Sequence, residues 1–127
     1  MKPFAIECIE PEGGAAHAVE VRVSGFLDAH TVVPFEKTMD DLLARQFNRV
    51  IIDMSGLNYM SSAGIGALMV LLQQLRHRDG EMVLLQPSPK VHKILELLGF
   101  TRIFQIREDR DEALELLRQE THRPPTR

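Results

Sequence analysis

Cysteine is almost missing from this chain: Cys8 is the only one in 127 residues. Neither a disulfide framework nor a cysteine-based zinc site can be built within one chain from a single thiol, and Cys8 reads as a small buried hydrophobe. Long apolar runs are missing too. Each apolar segment is broken by Gln, Arg or Gly before the roughly 18 residues that a membrane span needs, and MKPFAIECIE carries glutamate where a signal peptide is apolar. No membrane insertion is expected, and a cytoplasmic location is. Positive charge is not in excess: fifteen Lys and Arg against eighteen Asp and Glu leave a formal net charge of -3. With no basic cluster, nucleic acid is a poor partner to expect. Internal repeats and low-complexity segments are also absent.

What the chain does have is 44% apolar residues spread along nearly its whole length, enough for one core. A single domain over residues 1–120 is expected, with 121–127 as a flexible tail. FAIECI and AVEVRVSG are short β-branched stretches joined by the Pro- and Gly-containing EPEGGAAH, so an antiparallel strand pair should open the sheet. In AHTVVPFEKTMDDLLARQF, Val33, Phe35, Met39, Leu42, Leu43 and Phe47 recur at helical spacing, with Pro34 in the first turn. RVIIDMSG is a continuous apolar strand of the kind buried on both faces of a parallel sheet. A second helix is predicted from Ser62 to Arg78, ended by RDG with Gly80 as its cap. Ile65, Leu68, Met69 and Leu72 should face the sheet. EMVLLQ reads as a strand, and SPKVHKILELLGF as a helix with Ser88 at its N-cap, Pro89 at its first position and Gly99 at its close. RIFQIRE and the amphipathic DRDEALELLRQET supply a last strand and helix. The alternation implies an α/β fold, a mixed and mostly parallel sheet covered by about four helices.

In such sheets functional groups gather at the carboxyl ends of strands, and YMSSAGIGALMVLL, residues 59 to 72, lies at one. Asp53 is read as ending a buried strand and MSGLNYM as making the turn into the helix. Two readings stand for the serines. Either Ser61 or Ser62 caps the helix by accepting a hydrogen bond from a free N–H, a contribution of about 1 kcal/mol. Or the free N–H groups and the positive end of the dipole favour an anion, including a phosphate on the serine itself. Gly64 and Gly66 serve close helix packing or the close approach of another backbone; without a Lys or further glycines they do not make a phosphate-binding loop. Catalytic patterns are lacking. His17, His30, His77, His92 and His122 fall in different elements without metal-ligand spacing, and no GxSxG elbow is present. Asp53 lacks the acidic companion that a phosphoacceptor site would need. Asp28 reads as an N-cap for the first helix or as a surface contact, and Asp109, Asp111, Glu112 and Glu115 as a solvated helix face.

Four stretches together resemble the STAS domains, and within them the anti-sigma factor antagonists of bacterial partner-switching pathways: VSGFLDAHT, VIIDMSGLNYMSSAGIGAL, DGEMVLLQPSPKVHKILELLGF and IFQI. The resemblance implies the STAS fold. It also implies that Ser62 matches the family's phosphoacceptor, with Ser61 as the alternative, and that Ala63, Gly64 and Gly66 match the small residue and glycines that follow. Ser61 stands where the family commonly has Asp. The implied partner surface comprises Asp28, Asn58, Met60, Ser61, Ser62, Ala63, Gly64, Ile65 and Gly66. Its implied partners are an anti-sigma factor or switch serine kinase and a serine phosphatase. ATP and magnesium would belong to the kinase, so no cofactor is expected and the chain is a substrate, not an enzyme. Two alternatives remain: an unswitched STAS scaffold subunit of a lipid-transport ATPase complex, and a small nucleotide-using protein built on Asp53 and the glycines.

Overall fold

The computed structural model describes residues 3–10 and 17–118. Along the chain come β1 (Ala5–Ile9), β2 (Ala18–Leu27), α1 (Val32–Ala44), β3 (Arg49–Met60), α2 (Ser62–Arg76), β4 (Glu81–Leu85), α3 (Pro89–Leu97), a 3-10 turn (Phe100–Arg102), β5 (Gln105–Arg107) and α4 (Arg110–Arg118). The strands form one sheet in sequence order. β1 runs antiparallel to β2, and every other pairing is parallel, so the expected mixed α/β sheet is the observed one. Residues 11–16, most of the connection between β1 and β2, lie outside the described residues, as do the segment expected as a tail, 121–127, and the last residues expected in the final helix.

Period-2 alternation decides which helix covers which face. Val50, Ile52 and Met54 of β3 join Val19, Val21 and Val23 of β2 in a core closed by Phe35, Met39, Leu42 and Leu43 of α1, Leu68 and Leu72 of α2, and Val91 and Leu95 of α3. Ile51, Val83 and Leu85 point the other way and pack with Ala113 and Leu117 of α4. Three helices therefore lie on one face and one on the other. In α2, Ile65, Leu68 and Leu72 are buried as predicted, and Met69 packs against the same core from a partly buried position. In α1 the apolar spacing holds except at Val33, which is 62% exposed while Val32 packs inward.

Several local expectations need correction. β3 does not end at Asp53, and MSGLNYM is strand, not turn. β2 itself extends to Leu27 and offers ladder partners as far as Leu27 opposite Met60. Register shifts after Arg22 and after Gly25, the latter at φ 88°, absorb the irregularity. Gly80 is not the left-handed cap of α2. Asp79 takes that conformation at φ 57°, while Gly80 N–H reaches the Leu75 carbonyl and Asp79 N–H the Arg76 carbonyl, the two bonds of a Schellman ending. Glycine is needed at position 80 for a different reason: a Cβ there would sit 1.9 Å from the Asn48 carbonyl oxygen. The last strand is three residues long because Phe100–Arg102 forms a 3-10 turn. Cys8 is exposed, not buried. It lies on edge strand β1, with Arg45, Asp41 and Glu7 among its neighbours, and partial desolvation raises its thiol pKa.

Candidate functional site

The mouth of α2 is built from the ends of β2 and β3. Leu27 and Met60 pair across the ladder, and the Ser61 N–H continues it by donating to the Leu27 carbonyl at 2.9 Å. Ser61 is extended at φ -89°, ψ 176°, and is the N-cap residue. Its carbonyl accepts the Ile65 N–H at 3.0 Å and closes the first helical turn. The side chain departs from the capping expectation. Ser61 Oγ makes no cap bond and is buried without a hydrogen-bond partner among the described residues. The backbone N–H groups of Ser62, Ala63 and Gly64 thus open the helix with no side-chain acceptor, at the positive end of its dipole. Ser62 stands exposed beside them.

The two glycines play different parts. A Cβ on Gly64 would lie 2.8 Å from Met60 Cγ and 2.9 Å from Leu27 Cγ, so this glycine lets α2 settle on the strand tips. At Gly66 a Cβ would meet nothing within 4 Å, and the residue is exposed. No packing demand explains glycine there, although it weakens a helix by about 1 kcal/mol relative to alanine. Of the residues proposed for the partner surface, Met60, Gly64 and Ile65 lie buried beneath it. Asp28, Asn58, Ser61, Ser62, Ala63 and Gly66 are at least partly accessible.

Asp28 follows Leu27 directly and caps the turn into α1. Its carboxylate accepts the N–H groups of His30 at 3.0 Å and Thr31 at 3.1 Å, and its carbonyl accepts the Val32 N–H at 2.8 Å. Thr31 Oγ1 returns the favour, accepting the Asp28 N–H at 2.8 Å and donating to the Phe26 carbonyl at 2.7 Å. This reciprocal pair works like a capping box. The bond from the Thr31 N–H, then that from His30, holds the Asp28 carboxyl below its ordinary value.

Asp53 proves to be a structural residue. It lies mid-strand and buried, accepting the Ser55 N–H at 3.0 Å. Arg110 of α4 approaches it at 3.5 Å and Arg22 at 3.8 Å. The same two arginines hold buried Glu20, Arg22 at 3.0 Å and Arg110 in direct contact. Glu20 in turn raises the Arg110 pKa. Two carboxylates and two guanidinium groups thus cancel on the α4 side of the sheet, leaving no poised nucleophile.

Sequence reasoning missed an aromatic pair beside the mouth. Phe26 and Tyr59 are opposite each other in the ladder, 37% and 41% exposed, with ring centroids 5.8 Å apart. The signal lay in GFLD and LNYM, where an aromatic precedes the buried Leu27 and Met60, but it is legible only once both are known to be strand.

Comparison with known proteins agrees with this architecture. Residues 12–113 match the STAS domain. The anti-sigma F factor antagonist of Paenibacillus polymyxa is 30% identical over 95 residues, 74% of this chain and 81% of that protein. The crystal structure of an anti-sigma factor antagonist from Mycobacterium paratuberculosis superposes with a TM-score of 0.76 at 23% identity, covering 91% of this chain and 96% of that one. The phosphorylated form of SpoIIAA, a Bacillus cell fate determinant, superposes with a TM-score of 0.65 at 23% identity, covering 91% of this chain and all of that one, 100%. Among the described residues no helix is long and apolar enough to cross a membrane.

Proposed function

This chain belongs to the STAS domain family, and we propose that it acts as an anti-sigma factor antagonist whose docking surface, the mouth of α2, is switched by phosphorylation of Ser62. The observation that carries the reading is an exposed serine in the first turn of a helix whose leading N–H groups have no side-chain cap. A phosphoryl group on Ser62 Oγ gains from those donors and from the dipole within the free protein, so the fold tolerates it. In a packed interface the same dianion must shed its water, and against apolar or acidic partner groups that costs several kcal/mol. Unphosphorylated protein binds an anti-sigma factor or switch serine kinase and frees that partner's target; phosphorylated protein does not, until a serine phosphatase restores it. Exposed Gly66 supports the same surface, because a missing side chain there leaves room for a partner's backbone and serves nothing inside this chain. Burial of Ser61 Oγ favours Ser62 over Ser61 as acceptor.

The kinase supplies ATP and magnesium, and this chain is its substrate in the cytoplasm. The test is incubation with ATP and the serine kinases encoded in the same genome, read by intact mass and site mapping. One phosphoryl group on Ser62, none on Ser62→Ala, and binding lost in a folded Ser62→Asp are expected. Phosphate on Ser61 would move the acceptor by one residue. A Ser62→Asp variant that binds normally, with neither serine modified, would leave an unswitched scaffold.

A further inference from the structure

Between the tips of β2 and β3 and the start of α3 lies a cleft of about 720 Å³, within the range of small-molecule sites. Leu57, 1% exposed, forms its floor. The neighbouring rings of Phe26 and Tyr59 line it, together with Pro89 and the exposed Lys90 from the start of α3. No Asp or Glu lines it, in a chain whose formal net charge is -3. Among the described residues, the side chains of Ser55, Asn58 and Lys90 make no hydrogen bond or ion pair. Ser88, by contrast, is fully engaged: its Oγ donates to the Leu57 carbonyl at 2.9 Å and accepts the Val91 N–H at 3.4 Å. That pins the start of α3, and Lys90 with it, against β3.

We propose that this cleft binds a small apolar carboxylate, its flat body against Phe26, Tyr59 and Leu57 and its charge on Lys90, with Asn58 and Ser55 as additional donors. The positive charge of Lys90, itself exposed to solvent, favours an anion over a neutral ligand or a cation. An anion without an apolar body would leave the aromatic pair wet. Asn58 and Tyr59 lie within three residues of Ser61, so an occupied cleft would stiffen the strand that leads into the mouth of α2. The inference concerns ligand sensing and does not rest on the switch reading.

The probe is sodium 2-naphthoate, titrated into the full chain at constant ionic strength and followed by amide NMR. Saturable shifts centred on Phe26, Asn58, Tyr59 and Lys90 are expected, with a dissociation constant of about 1 mM or tighter. Lys90→Glu, and replacement of the probe by uncharged 2-naphthamide, should each weaken binding about tenfold or more, as loss of a charge-assisted contact implies. Tyr59→Ser, with its fold checked by amide dispersion, should weaken both probes. Absence of saturable shifts up to about 10 mM, shifts centred elsewhere, or equal affinity of wild type and Lys90→Glu for the naphthoate would overturn the proposal. So would tighter binding of a capped Phe-Asp peptide than of naphthoate, which would assign the cleft to a protein segment.

Discussion

Gly64 and Gly66 stand two residues apart in one helical turn, and the space around each gives opposite expectations for the same substitution. Alanine at Gly64 would drive a methyl group into Met60 and Leu27, at 2.8 and 2.9 Å, and into the Leu27 carbonyl oxygen at 3.0 Å. Overpacking of this kind costs about 1–3 kcal/mol. Alanine at Gly66 would enter open space and gain helix propensity, about 0.5–1 kcal/mol of stability. Urea unfolding of the two variants should therefore move in opposite directions. If Gly66 serves a partner, the stabilised Gly66→Ala protein should also bind that partner less well, a split between stability and affinity that a purely structural glycine would not show. Two variants shifted the same way in urea would contradict the spacing described at this helix mouth. Ser61 carries a related lesson. Its sequence position predicts a cap and its backbone is extended as a cap requires, but Oγ is buried without a partner and leaves the helix N–H groups uncapped, a choice between rotamers that no sequence pattern encodes.

Elements were legible to the degree that their signals are local. α3 announces itself by Ser88, Pro89 and Gly99, and it has the cap, first turn and left-handed close expected of them, Gly99 lying at φ 81°. The extension of β3 to Met60 was not legible, because Ser55, Gly56 and Asn58 are turn residues by propensity. They become strand only because β2 also runs past Gly25 to meet them, a tertiary condition. Gly80 misled for a similar reason: its close approach to Asn48 spans two loops far apart in sequence. The start of α1 gives an element-scale prediction. Asp28 accepts two N–H groups only strongly as a carboxylate, and its pKa is held below the ordinary 3.8. A depressed folded-state pKa contributes stability above the unfolded value and loses it as pH falls through the folded one. Thermal melts of wild type and Asp28→Asn should therefore differ by a constant amount at neutral pH, with wild type higher. The gap should close below about pH 4. A gap independent of pH would show that the carboxylate charge contributes nothing to this turn.

At the scale of the molecule, the sheet divides two cores of unequal size. Among the described residues, one face carries α1, α2 and α3 on a large cluster; on the other, Ala113 and Leu117 of α4 pack with Ile51, Val83 and Leu85 of the sheet. Stability is rarely uniform in such an arrangement, and the element with the fewest buried contacts opens first. What adds to the small apolar contact is Arg110, which ties the first turn of α4 to Glu20 and Asp53 on two different strands. Glu20 is 1% exposed, so removing Arg110 leaves its carboxylate to Arg22 alone. Arg110→Met keeps an apolar stem but not the charge, and should lower global stability by about 1–3 kcal/mol, the cost of an under-satisfied buried acceptor. Hydrogen exchange should locate the change: amides between Ala113 and Arg118 should lose protection well beyond that global loss, while those of β3 and β4 follow the global figure alone. Because an ion pair between buried partners is often replaceable by neutral groups of like shape, Glu20→Gln added to Arg110→Met should recover part of the stability without restoring protection in α4. Unchanged exchange in α4 after Arg110→Met would mean that the apolar contacts with Ile51, Val83 and Leu85 hold the helix by themselves, and that the four charges stabilise only the strands they stand on.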